Sequence, residues 1–275
     1  MRSAGSQKIW MHIALIALCV LTLFPVLWVV KTAFDPSGEL ATGLNPLPTQ
    51  FELKNFERLF HADYFWRQLL NSLVVSIATT ILGIGLACTS AYALSRFRFP
   101  GRRAGLMAFL VTQMFPGTMM MIPLYQVIEW LGLLDSALAL IMVYSTTSVP
   151  FCVWMLKGYF DTIPIEIEES ATMDGASQFV IFWKIILPLS RPAIAVTALF
   201  SFMTAWNEFI LAATFMSDEQ HYTLPVRLQQ YVTKFSTDWG VFAAGAVVVS
   251  IPVMILFFSL QKNLVGGLTA GSVKG

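Results

Sequence analysis

Long apolar runs separated by short polar bridges dominate the chain. Six windows reach the roughly 20 apolar residues that a membrane-spanning helix needs: Ile9–Val30, Leu69–Leu94, Ala104–Val127, Ser136–Leu156, Pro192–Met216 and Val241–Leu264. The pattern lacks the alternating segments of about ten residues that build a closed membrane barrel. Pro25, Pro116, Pro123, Pro150 and Pro252 lie inside the windows. They predict kinks in helices whose neighbours re-satisfy the freed carbonyls. The predicted fold is all-α, a polytopic membrane protein with six transmembrane helices. It is organised as a single transmembrane domain over 1–275, with its core at about 69–264.

Composition sharpens this picture. The chain is 56% hydrophobic and 12% charged, against about 45–50% and 25% in soluble domains. The first window follows Arg2 and Lys8 as a signal peptide would. Its apolar run exceeds the roughly 7–15 residues of a signal core, however, and no small-x-small cleavage site follows before Lys31, so it reads as an uncleaved span. Cys19, Cys88 and Cys152 all fall in apolar windows, at spacings of no metal or redox motif. They read as small packing residues. His12, His61 and His221 are scattered without ligand spacing.

Lys and Arg accumulate on the cytoplasmic side of membrane proteins, and here they set an orientation with both termini inside. Arg2, Lys8, Arg96, Arg98, Arg102, Arg103, Lys157, Lys184, Arg191, Lys262 and Lys274 are then internal, the majority of the 17 basic residues. Lys31, Lys54, Arg58, Arg67, Arg227 and Lys234 face outward among an excess of acids such as Asp35, Glu39, Glu52, Asp218 and Asp238. The loop RFRFPGRR, Arg96–Arg103, fixes the direction most firmly, with four positive charges and no acid. A cluster so short and so close to the membrane signals orientation rather than nucleic-acid binding.

Three polar segments are long enough to act: outer loops at 31–68 and 217–240, and an inner loop at 157–191. The inner loop is the most informative. Pro164 suits a first helical turn, and Glu166, Glu168 and Glu169 crowd that turn, where the helix dipole favours negative charge. A short helix to about Met173 is predicted, broken at Asp174–Gly175 because glycine tolerates positive φ. A second helix starts at Ser177, with Phe179, Phe182, Trp183 and Ile186 at i, i+3, i+4 and i+7 as one apolar stripe; Pro188 and Pro192 end it. On pattern alone two readings stand: a ridge that plugs a groove in a partner protein, or a helix lying on lipid headgroups.

The run from Glu169 to Pro188 also resembles the EAA loop of binding-protein-dependent ABC importer permeases. Its pattern is carried by Glu169, Ala171, Asp174, Gly175, Ala176, Ile185, Leu187 and Pro188, and only Ser170 departs, where the motif has alanine. YTLPVRLQQY (Tyr222–Tyr231), WGVFAAGAV (Trp239–Val247) and the terminal LVGGLTAGSVKG are similar to the smaller permease of maltose-type importers, the MalG type. The resemblance implies the type-1 transmembrane domain of such transporters, with the loop 157–191 docking onto an ATP-hydrolysing subunit. It also implies that the tail 265–275, above all Leu268, Thr269, Ala270, Gly271, Ser272, Val273, Lys274 and Gly275, reaches between two ATPase subunits. The loop Val232–Thr237 would point to a substrate-binding protein. The implied partners are a second, MalF-like permease, two MalK-like ATPases, a MalE-like extracytoplasmic sugar-binding protein and membrane lipid, without nucleic acid. The implied location is a bacterial cytoplasmic (inner) membrane and the implied cargo a sugar, maltose or maltodextrin first.

No G-x-x-x-x-G-K-[ST] phosphate loop occurs in the sequence, so this chain cannot cradle ATP by that route; the resemblance then implies that ATP and Mg are bound by the partner ATPases, with no cofactor or metal expected on this chain. It is expected to be a transport subunit, not an enzyme. Trp206, Asn207 and Glu208 place polar groups and an acid within the fifth window, where an ionised side chain costs about 2.5–3.5 kcal/mol on insertion scales. They read as pathway lining or gating, as direct sugar contacts, or as a structural polar contact with the partner permease. In a rival class, an ion-coupled secondary sugar transporter, Glu208 would be the ion site. That class predicts inverted repeats with broken helices, which the sequence lacks.

Overall fold

A computed structural model describes residues 3–40, 45–48, 50–232 and 237–270, with side chains between 8 and 262. The described chain is helical, and its one β contact is an isolated bridge between Val232 and Thr237. Four helices are long and apolar enough to cross a membrane: α1 (Ser3–Phe34), α3 (Phe65–Arg96), α6 (Ala137–Phe160) and α13 (Trp239–Ala270). They match the first, second, fourth and sixth windows. Pro25, Pro150 and Pro252 lie inside continuous helix in three of them.

The third and fifth windows differ from a simple span. The third forms α4 (Arg102–Met114) and α5 (Gly117–Trp130), bent by 105°. Phe115 precedes Pro116 and is extended, at φ −79° and ψ 128°; the clash of a proline ring with the residue before it drives that choice. The proline therefore breaks the helix, where a kink was predicted. In the fifth window α10 (Arg191–Trp206) stops at Asn207, and α11 (Ile210–Phe215) begins after a break. Counting each bent pair as one span, 102–130 and 178–206, gives up to six spans.

Backbone contacts divide the chain into two compact units. One comprises Met1–Trp66 with Arg227–Ile251. Here α2 (Lys54–Phe60) carries the buried Asn55, whose amide donates to the carbonyls of Ala33 (3.1 Å) and Asp35 (2.8 Å) and so satisfies the open end of α1. Gly240 passes against that amide so closely that a Cβ would lie 2.6 Å from Asn55 Nδ2. The position requires glycine.

The other unit comprises Arg67–Val226 with Pro252–Gly275 and holds two apolar clusters. One is built by Val75, Ile128, Leu140, Tyr144, Ala205 and Phe215. The other joins Ala87, Ala91 and Tyr92 of α3 to Val153, Leu156 and Phe160 of α6 and to Ile181, Phe182 and Ile186. This second cluster anchors the segment between α6 and α10.

Candidate functional site

The segment between α6 and α10 is an elbow of short helices. Glu166, Glu168 and Glu169 occupy the first turn of α7 (Glu166–Met173), where open N–H groups favour negative charge. The helix ends in a Schellman motif. The Gly175 N–H donates to the Thr172 carbonyl (3.0 Å) and the Ala176 N–H to the Ala171 carbonyl (3.0 Å). Gly175 closes that motif at φ +83°, with open space around the position of an added Cβ. Ala171 and Ala176, the residues joined by the outer bond, both pack on the second apolar cluster. The spacing E-x-A, D-G-A thus encodes a helix stop with two small residues against the body of the protein.

Ser177 opens the next helix as predicted, accepting the Val180 N–H at 3.4 Å. The run α8 (Gln178–Ile181) passes into a π turn (Phe182–Ile186) and the short α9 (Leu187–Leu189). Pro188 was expected to help end this helix, yet the helical run continues through it to Leu189. Proline has no N–H to donate, and the Leu187 N–H immediately before it already reaches five residues back, to Phe182. The wider turn absorbs the missing bond.

The apolar stripe also resolves differently from its prediction. Phe182 and Ile186 form one i, i+4 row and are buried, whereas Phe179 and Trp183 form the adjacent row and remain 72% and 53% exposed. Their rings lie 6.0 Å apart. With Met173, 89% exposed, they leave an apolar outer face on a segment whose inner face is filled by Ile181, Phe182, Ile185 and Leu187. Glu169, Asp174 and Gly175 are exposed on the same elbow.

Sequence reasoning missed the group that ties the elbow to α3. Glu168 is buried; it forms an ion pair with Arg96, and the two side chains are 8% and 10% exposed. The Tyr92 hydroxyl donates to Glu168 Oε2 (2.8 Å) and lies 3.1 Å from the Gln178 side-chain amide. Arg96 also donates to the Ile163 carbonyl at 2.9 Å. Glu168 sits three residues before Ala171, hence on the inward face of α7, and that was the available signal. Nearby, Asp161 accepts from Ser95 Oγ (2.6 Å) and Lys157 Nζ (2.5 Å). Burial alone would raise its carboxyl, but these bonds and the charges of Lys157 and Arg96 outweigh it and hold the group below its ordinary range. Arg96, Glu168, Glu169, Thr172 and Met173 line an open cleft of about 530 Å³ on the elbow.

The remaining expected residues do not form a single cluster. Trp206 is buried and stacks on Phe202 with centroids 5.5 Å apart. Asn207 is exposed and donates back to the Met203 carbonyl at 2.9 Å. The half-buried Glu208 accepts the N–H groups of Leu211 and Ala212, each at 3.0 Å, and so caps α11. The carboxylate is engaged at the break it stabilises. In the tail, Leu268, Thr269 and Ala270 end α13; Gly271 to Gly275 lie outside the described residues, as do 233–236 of the loop Val232–Thr237.

Comparison with known proteins places these features in context. The family described as binding-protein-dependent transport system inner membrane component matches residues 79–269. The diacetylchitobiose uptake system permease protein DasC of Streptomyces coelicolor is 36% identical over 270 residues, covering 98% of each chain. The maltodextrin transport system permease protein MdxG of Bacillus subtilis is 35% identical over 270 residues, covering 98% of this chain and 97% of its own. Among solved structures, a bacterial ABC transporter involved in the import of the acidic polysaccharide alginate contains a chain with a TM-score of 0.79. That chain is 25% identical, and the match covers 95% of this chain and 98% of the other.

Proposed function

The chain belongs to the binding-protein-dependent transport system inner membrane components, and on that premise we propose that it carries maltose or maltodextrin, with the elbow at 166–189 as its docking element. It is a permease subunit of a sugar ABC importer and not an enzyme. The finer reading is that the chain supplies half of a translocation pore, completed by a second permease. Two ATPase subunits bind ATP and Mg, and an extracytoplasmic sugar-binding protein delivers the cargo. Both termini lie in the cytoplasm, and the tail from Leu268 reaches between the ATPases.

One observation carries the docking role. The elbow exposes Met173, Phe179 and Trp183 while a buried ion pair and an apolar inner face hold it to α3 and α6. A rigid foot with an apolar sole suits an exchange between two states of a partner better than a loose loop does. ATP closing the ATPase pair would draw the feet together and open the passage outward; hydrolysis would reset it. Broken helices, which the sequence did not show and the ion-coupled alternative predicts, are present in the third and fifth windows, but Glu208 caps a helix and the family is an ATP-driven one, so the importer reading stands ahead.

The test is a reconstituted complex with Glu169→Lys. We expect an inserted, assembled protein in which ATP hydrolysis continues without uptake; normal uptake would refute the docking role. Competition of maltotriose against diacetylchitobiose for uptake tests the cargo separately, and preference for diacetylchitobiose would overturn the maltodextrin assignment alone.

A further inference from the structure

A second cleft lies between the middle of α6 and the C-terminal half of α10, away from the elbow. Its walls are Gln113 of α4, Thr147 and Phe151 of α6, and Phe200 and Thr204 of α10, around a volume of about 440 Å³. The Phe151 and Phe200 rings lie 5.9 Å apart at 61°. Behind them the Ser148 and Ser201 hydroxyls are hydrogen-bonded at 2.6 Å.

Hydroxyls by themselves do not identify a watery surface here. Thr147 donates to the Tyr144 carbonyl (3.0 Å) and Thr204 to that of Phe200 (2.9 Å), so both could face lipid at little cost. Gln113 is different. It is exposed, and its amide reaches the Thr147 carbonyl only at 3.4 Å, leaving a second N–H and a carbonyl to be met by something outside the chain.

The backbone gives an independent sign. One residue beyond Gln113, α4 ends, and the chain turns by 105° into α5 through the exposed residues 114–117. Helix ends at membrane depth leave carbonyl and N–H groups open, and these are tolerated only where protein covers them or water reaches them. A cleft combining two aromatic rings, an amide and hydroxyls has the chemistry of a sugar contact, and its volume falls in the range of about 300–1,000 Å³ usual for ligand sites. By contrast, the cavity lined by Leu73, Ile77, Phe202 and Ile255 is almost wholly apolar.

We propose that the cleft between α6 and α10 is the stretch of water-filled sugar passage that this subunit supplies. Phe151 and Phe200 offer ring faces to the pyranose, while Gln113, Thr147 and Thr204 exchange hydrogen bonds with its hydroxyls. The proposal rests on the importer reading above.

The experiment uses the complete complex in liposomes, with exposed Cys19 replaced by serine; Cys88 and Cys152 are buried. Thr204→Cys and, as a control in the apolar cavity, Ile255→Cys are treated with a charged, membrane-impermeant thiol reagent. We expect the Thr204 position to react at least about tenfold faster, a difference of about 1.4 kcal/mol. Equal, slow reaction at both positions would overturn the proposal, whatever the cargo. In the same parent, Phe151→Ala should raise the KM for maltotriose uptake about tenfold with ATP hydrolysis retained, and Phe151→Tyr should restore it; an unchanged KM in a transporting complex would remove the ring contact. A parent that shows no ATP-driven uptake of any sugar would sink the importer reading instead, and the labelling contrast would still judge the cleft.

Discussion

Removing the Glu168 carboxylate should destabilise the elbow far more than removing the Glu166 carboxylate of the same helical turn. The Arg96 and Glu168 side chains are 10% and 8% exposed, so Glu168→Ala leaves a guanidinium buried without its partner. Breaking such a pair costs about 3–5 kcal/mol. The hydrogen bond from Tyr92 falls with it and is already within that figure, since the terms share one network and do not add. Tyr92→Phe, which removes the hydroxyl that donates to the charged Glu168 and also lies 3.1 Å from Gln178 Oε1, should cost about 1.5–3 kcal/mol. Glu166→Ala, at an exposed position of the same turn, should cost less than about 0.5 kcal/mol. Replacing both partners, Arg96→Met with Glu168→Leu, should recover most of the loss, because apolar pairs often substitute for buried ion pairs without penalty. The assay is denaturant unfolding of the purified complex in detergent, read beside ATP hydrolysis and uptake in liposomes. A Glu168→Ala complex as stable and as well coupled as Glu166→Ala would refute the role given to the pair.

Gly175→Ala meets no neighbouring atom but must hold φ near +83°; it should assemble with a local penalty of about 1–2 kcal/mol. Gly175→Pro also loses the N–H bond to Thr172 and should abolish coupling while leaving the protein in the membrane, as read by uptake per ATP hydrolysed. Glu208→Gln should weaken the cap on α11 by about 0.5–2 kcal/mol and leave uptake ATP-dependent and insensitive to a protonophore. Sensitivity that appears in the parent and vanishes in the variant would revive the ion-coupled reading. Deleting the chain after Leu268 should impair assembly or ATPase regulation, measured as recovery of the ATPase with the permease and as hydrolysis rate; a complex intact on both counts would end the tail assignment.

Hydrophobic length revealed the spans that are single helices, because about 20 apolar residues have few alternatives in a membrane. It could not tell a kink from a break. Pro150 and Pro116 look alike in the sequence, yet Pro150 stays within α6 while Pro116 follows an extended Phe115 and ends a helix. The break at Asn207–Phe209 has no proline or glycine at all, and what stabilises it is the Glu208 carboxylate turning back onto the N–H groups of Leu211 and Ala212. In the elbow, local chemistry was legible: acids at the helix start, Gly175 at its stop, Ser177 at the next start. What packing decides was not. The four-residue stripe splits into a buried and an exposed row, and Glu168 finds Arg96 across 72 positions of chain.

The most direct test of the docking claim is a cross-link at Met173→Cys, the most exposed apolar position of the elbow, in a complex purified with its ATPase subunits. A short bifunctional thiol reagent should join that cysteine to an ATPase subunit in high yield, and the yield should change between the nucleotide-free and ATP-bound states. A cysteine that is freely alkylated in every state and joins no other chain would contradict the account.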